Sequence, residues 1–184
     1  TEKQKEVLGI WNDLSTNEIA KDAGISIGSL YSYYRDKDTI FLEILDKYNE
    51  NFLTVFEKIK TEINQAVYEQ DKRAWLRVLL TELVKQHVSV KTLNRELKGL
   101  YYARDDVRRI MDQQSRKIQT ETLEMLSRTP DEIHSDHLEI TSLLVVDFIS
   151  SIVDRIVFDD ELSEEAADEI MTVGTDSLFR MLYK

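Results

Sequence analysis

Residues 15–37 read STNEIAKDAGISIGSLYSYYRDK, and this stretch decides the fold. Ser15 or Thr16 caps a short helix, with Glu18 placed near its third position as a capping-box partner. Ile19, Ala20 and Ala23 form the buried side of that helix, the alanines small enough for a second helix to approach. Gly24 ends it, at a point where the chain needs a left-handed residue that only glycine adopts without strain. Ile25 then fills the core at the turn and Ser26 caps the next helix. Leu30 and Tyr34 face inward, which leaves Ile27, Gly28, Ser29, Tyr31, Ser32 and Tyr33 looking outward. Two short helices about a glycine turn of this length describe a helix-turn-helix, whose second helix fits a DNA major groove. A plain helical hairpin has the same outline.

Outward from this stretch the apolar spacing is helical almost everywhere. Phe41, Leu45, Tyr48, Phe52, Val55, Ile59 and Ile63 step by three or four, giving one long amphipathic helix that starts near Lys37 under an Asp36 or Asp38 cap. A second helix runs from about Asp71 to Val90, and a short segment spans about Leu93 to Tyr102. A further helix covers about Asp105 to Leu126 and is broken at Thr129-Pro130-Asp131. Two more follow, about Glu132 to Phe158 and Ser163 to Tyr183, divided by Asp159-Asp160-Glu161. The spacing predicts an all-α chain with a small N-terminal module, residues 1–47, and a larger helical body, residues 48–184.

Composition narrows the function. The 184 residues include no Cys, which removes disulfides, thiolate nucleophiles and thiolate-held metals, and only three His. No HExxH or GxSxG is present, and no nucleophile–base–orienter set can be read, so an enzyme is not expected. Five Gly and one Pro are few, in keeping with helices. The formal net charge of −11 argues against a polyanion-coating protein while leaving room for a small, local nucleic-acid site. TEKQKEVL at the start lacks an apolar signal core, and Leu143–Phe158 is too short and too charged to span a bilayer. The expectation is a cytoplasmic protein without a membrane segment.

The full pattern of the opening stretch is more specific than its outline. It resembles the DNA-binding signature of the tetracycline-repressor (TetR) family of bacterial transcriptional regulators, roughly T-x-x-x-I-A-x-x-A-G-[VI]-S-x-G-x-[LI]-Y-x-[YH]-[FY]-x-x-K. Thr16, Ile19, Ala20, Ala23, Gly24, Ile25, Ser26, Gly28, Leu30, Tyr31, Tyr33, Tyr34 and Lys37 stand where that signature places them. The resemblance implies about nine helices, a three-helix DNA-binding module carrying the helix-turn-helix, and a C-terminal domain that binds ligand and dimerises through its last two helices. It also implies that a ligand in the body shifts the spacing of the two DNA-reading heads. One departure stands out: TEKQKEVL runs straight into Gly9, without the family's Leu-Phe ending to its first helix. Either that helix is short or residues are missing between Leu8 and Gly9. The second reading is favoured, since losing the apolar wedge would uncover Ile19 and Leu30.

On that basis the DNA-contacting set is Thr16, Asn17, Ser26, Ile27, Gly28, Ser29, Tyr31, Ser32, Tyr33 and Lys37. Tyr31 and Lys37 are the expected phosphate anchors, and Asn17, Ile27, Gly28 and Ser32 the base-edge positions. Residues 1–47 hold six Lys/Arg against nine Asp/Glu, so affinity should be modest and strongly salt-dependent.

The helix over Leu143–Phe158 gathers Asp147, Ser150, Ser151 and Asp154 on one side, and apolar residues cover well over half its circumference. So wide an arc suits two interfaces, the chain's own core and a partner. Wholly internal burial is the other possibility. The seam of a homodimer is expected at Val145, Ile149, Ile152 and Ile156, with Ile170, Gly174 and Leu178 on the last helix. A pocket for a small effector of unknown identity is expected among Trp75, Leu79, Leu83, Tyr101, Tyr102, Met111, Ile118 and Phe148, a set that also suits ordinary core. Asp147 could face a cationic effector or simply solvent. His87 reads as a satisfied core histidine. His134-Ser135-Asp136-His137 has metal-ligand spacing but reads better as a solvated turn, and neither metal nor cofactor is expected.

Two functions follow. The first is a one-component regulator, a repressor whose operator affinity is lowered by a small apolar or amphipathic ligand. The second is a helical adaptor of the same fold without operator binding, which the acidic head makes conceivable.

Overall fold

A computed structural model describes residues 14–59 and 61–184. The expected first helix, and the question of residues missing between Leu8 and Gly9, lie outside the described residues.

Among the described residues the chain forms nine α-helices. They are α1 (Thr16–Asp22), α2 (Ile27–Tyr33), α3 (Lys37–Ile59), α4 (Glu62–Gln70), α5 (Lys72–Ser89), α6 (Lys91–Ala103), α7 (Asp105–Leu126), α8 (Leu138–Phe158) and α9 (Glu164–Leu182), with one 3₁₀ turn at Pro130–Glu132. Two compact units result. One takes the described chain up to Phe52 together with Arg95–Met111; the other takes Leu53–Asn94 and Asp112–Lys184. The boundary falls within α3, close to the α6 start and within α7.

In the first unit a small cluster of Ala20, Leu30 and Ile40, flanked by Ile19 and Tyr34, joins the two short helices to the start of α3. Phe41, Leu45, Leu97, Leu100 and Val107 are also buried in this unit. Arg104, at the α6–α7 corner, clasps Asp106 at 2.6 Å and Asp38 at 2.8 Å and lies over the Phe41 ring. Hydrogen bonding to Arg104 is the main reason the Asp106 carboxyl is held below its ordinary range.

The second unit is built around α5, which packs against α4, α8 and α9. Asp71 caps α5 by accepting from the backbone N–H groups of Arg73 and Ala74, both at 3.0 Å. Val55, Trp75, Leu76, Leu80, Leu126, Val145, Ile152 and Leu178 share the core. Arg73 bonds Asp176 and Arg77 bonds Asp168, fixing α5 against α9.

Two boundaries differ from the periodicity. The stripe continues through Ile63, but α3 stops at Ile59 and Ile63 falls in α4. Thr61 is extended there, and both its hydroxyl (2.9 Å) and its N–H (3.2 Å) donate to the Lys58 carbonyl, which closes the end of α3. Likewise α8 starts at Leu138 and not near Glu132. Residues 132–134 instead run antiparallel to 182–184: His134 N–H donates to Leu182 O at 2.8 Å and Lys184 N–H to Glu132 O at 3.1 Å. The other boundaries agree with the spacing to within two residues or so.

Candidate nucleic-acid interface

Local chemistry builds the head. Ser15 accepts from the Glu18 N–H at 3.2 Å while Glu18 accepts from the Ser15 N–H at 2.7 Å, a complete capping box. That backbone bond from Ser15 is the leading reason the Glu18 carboxyl is held below its ordinary range. At the other end of α1, Gly24 takes φ 68°. Its N–H bonds Lys21 O and the next N–H, of Ile25, bonds Ala20 O, the paired bonds of a Schellman ending. Ser26 then caps α2 through the Ser29 N–H at 3.0 Å, and Asp36 caps α3 through the Thr39 N–H at 2.8 Å.

The turn corrects two core assignments. Ala23 and Ile25 are exposed, Ile25 by 44%. The Schellman ending is satisfied by backbone alone, so Ile25 need not be buried to hold it, and Ala20 with Leu30 makes the close approach instead.

The outward face of α2 is as expected. Ile27, Gly28, Ser29, Tyr31, Ser32 and Tyr33 are exposed, Tyr33 by 83%, while Leu30 is buried and Tyr34 half-buried. Thr16 and Tyr31 are brought together, hydroxyl to hydroxyl at 2.9 Å, tying the start of α1 to α2. Asn17 is exposed beside them. Lys37 is half-buried, and its ammonium donates to Leu14 O at 2.8 Å, so it braces the entry to α1 from the start of α3. Sequence reasoning missed that internal task, as it missed Arg104. A lone basic residue at a helix start carries no sign of which carbonyl it will reach.

The residues expected to line an effector pocket fall in both units. Trp75 and Leu79 are buried in the second unit's core, with Leu83 and Phe148 packed against it. Ile118 is half-buried in the same unit. Tyr101, Tyr102 and Met111 fall in the first unit, where Tyr102 is 71% exposed. An open groove along α8 is lined by Asp147, Ser150, Ser151, Asp154, Arg155 and Phe158, together with Asp159 and Asp160, and none of the eight residues lines it. Asp147 faces solvent. His87 is half-buried with Nδ1 at 2.8 Å from Leu83 O, a satisfied core histidine. Among the described residues, no three His, Cys, Asp or Glu converge to hold a metal ion.

Four of the seven expected seam residues are internal. Val145, Ile152, Gly174 and Leu178 are buried within the chain, Leu178 fully, and a Cβ on Gly174 would stand 2.7 Å from Ile152 Cδ1. Ile149, Ile156 and Ile170 pack on the edge of the same core. The small residue at 174 serves the contact between α8 and α9, so Val145, Ile152, Gly174 and Leu178 are taken up inside the chain while Ile149, Ile156 and Ile170 keep partial exposure. Exposed apolar side chains lie elsewhere: Ile140, Leu143 and Leu144 on α8, and Val173 on α9.

A family model described as "Tetracyclin repressor-like, C-terminal domain" matches residues 53–183, and one described as "Bacterial regulatory proteins, tetR family" matches residues 11–44. The chain belongs to the TetR family. It is thus a helix-turn-helix transcriptional regulator by family and not an enzyme. An HTH-type transcriptional regulator of Staphylococcus aureus is 31% identical over 81 residues, which is 44% of this chain. That match spans only 40% of the relative's length.

Solved TetR-like structures share the fold at low identity. A transcriptional regulator (TerR/AcrR family) from Aquifex aeolicus aligns with TM-score 0.68 at 16% identity, over 96% of this chain and 99% of its own. Salmonella enterica GusR aligns with TM-score 0.70 at 15% identity, over 98% and 91%. A TetR transcription regulator from Haloarcula marismortui aligns with TM-score 0.71 at 18% identity, over 99% and 100%. No helix among the described residues of this TetR-family chain is long and apolar enough to cross a membrane.

Proposed function

We propose that the chain is a cytoplasmic, ligand-responsive repressor that binds a double-stranded DNA operator as a homodimer and is released by a small apolar or amphipathic molecule. The observation that carries this reading is the exposed face of α2. Five side chains and a bare glycine point outward from a helix capped at its start, packed through Leu30 and Tyr34 and tied to α1 by the Thr16–Tyr31 bond. A helix held in that way is presented to a groove, with the exposed Tyr33 side chain at its end placed for a phosphate contact that sets register.

Dimerisation uses the outward strip of α8. Ile140, Leu143 and Leu144 supply an apolar patch on the same side as Asp147, Ser150 and Ser151, and α9 adds the exposed Val173. The effector acts by population shift: it must bind the DNA-incompetent arrangement more tightly than the competent one.

A salt-titrated gel shift of the full chain against its own upstream region tests the reading. A specific complex that weakens steeply with salt is expected. The acidic head favours one alternative, a helical adaptor of the same fold, and absence of any specific shift at low salt would establish that instead.

A further inference from the structure

The seven residues of α2, IGSLYSY, include no charged and no amide side chain, and within residues 14–47 the single amide is Asn17 on α1. The hydroxyls of α2 are largely committed inside the head. Ser29 Oγ bonds Ser26 Oγ at 2.8 Å, Ser32 Oγ donates its proton to Ser29 O at 2.7 Å, and Tyr31 shares its hydroxyl with Thr16. What α2 presents without prior engagement at its first turn is the Ile27 side chain and the Gly28 backbone. Gly28 has ordinary helical φ, and a Cβ there would meet nothing closer than Ser26 Oγ at 3.8 Å. The fold therefore has no steric need for glycine at this position, although glycine weakens a helix. In the major groove, the base-edge feature that an apolar surface reads is the 5-methyl group of thymine.

We propose that the head selects its operator through thymine methyl groups seated against Ile27 and the bare backbone of Gly28. The half-site core is then A·T-rich, and its selectivity there comes from van der Waals fit and not from bidentate hydrogen bonds to guanine. The inference rests on the operator binding proposed above.

The test selects sites from a random duplex pool with the full chain, then replaces thymines of the selected core one at a time by uracil, which lacks only the methyl. Loss of one methyl contact should weaken binding about fourfold, and the same change in both half-sites about fifteenfold. A 5-methylcytosine·guanine pair at the same position should bind better than cytosine·guanine. Ile27→Ala should bring the thymine-to-uracil ratio at one position close to unity. Gly28→Ala should leave the protein at least as heat-stable while lowering operator affinity, because the added methyl occupies the space claimed for DNA. A selected site bound tightly but indifferent to uracil, or a core fixed by guanine, overturns the inference alone. Failure to select any duplex above non-specific binding overturns the operator reading and this inference with it.

Discussion

Gly174 and Ile152 show how one atom decides a packing. A Cβ at 174 would lie 2.7 Å from Ile152 Cδ1 and 3.2 Å from Cγ1. Gly174→Ala gains about 1 kcal/mol of helix propensity but overpacks the α8–α9 contact at a cost of about 1–3 kcal/mol. A net loss in thermal stability is expected, and Ile152→Val, which removes Cδ1, should recover much of it in the double variant. A freely stabilising Gly174→Ala would refute the contact. Tyr183 makes a second point. Burial, then its bond to the Tyr68 hydroxyl, pushes its ionisation above the ordinary 10.0. The contribution of a raised group is complete below its unfolded value and is lost as pH rises beyond it. Stability should thus fall as pH climbs past 10, and Tyr183→Phe should flatten that limb in melts followed from pH 9 to 11. At this scale the sequence was legible where chemistry is local: Ser15, Gly24, Ser26 and Asp36 act within their own turns. Ile25, Lys37 and Arg104 were not legible, because each depends on which distant group it meets.

On the scale of elements, the breadth of the apolar arc on α8 was legible and the edge it turns outward was not. Its apolar arc is wide, yet Val145 and Ile152 face the chain's own core while Ile140, Leu143 and Leu144 face out. Periodicity measures how much of a helix is apolar and carries no label for which neighbour covers which edge. The distinction is testable. Leu178 is 0% exposed, so Leu178→Glu buries an unpaired carboxylate at several kcal/mol, against a total stability of about 5–15 kcal/mol. It should unfold the chain. Leu144 is 56% exposed, so Leu144→Glu should keep the helical signal and melting behaviour while light scattering shows the mass of a single chain. A folded, still dimeric Leu144→Glu would move the seam elsewhere. The break at Thr61 escaped notice for a related reason: Ile59 and Ile63 are in helical spacing, and the break rests on an extended Thr61 whose hydroxyl and N–H both turn back to the Lys58 carbonyl.

For the whole molecule, the partition into units matters more than the count of helices. The unit that carries α1 and α2 is discontinuous, since Arg95–Met111 belongs to it and brings Leu97, Leu100, Val107 and Arg104. A fragment ending at Phe52 lacks all four. It should show no cooperative melt by circular dichroism and no specific operator binding, whereas a fragment that melts cooperatively would show the head to be self-sufficient. The antiparallel bridge between Ile133 and Tyr183 works at this scale too. It joins the two ends of the α8–α9 hairpin, closing a noncovalent ring of roughly 50 residues, so the entropy of bringing those ends together is met inside each chain before any partner arrives. The surface offered for pairing is then a closed hairpin and not two helices free to splay, and association has correspondingly less disorder left to remove.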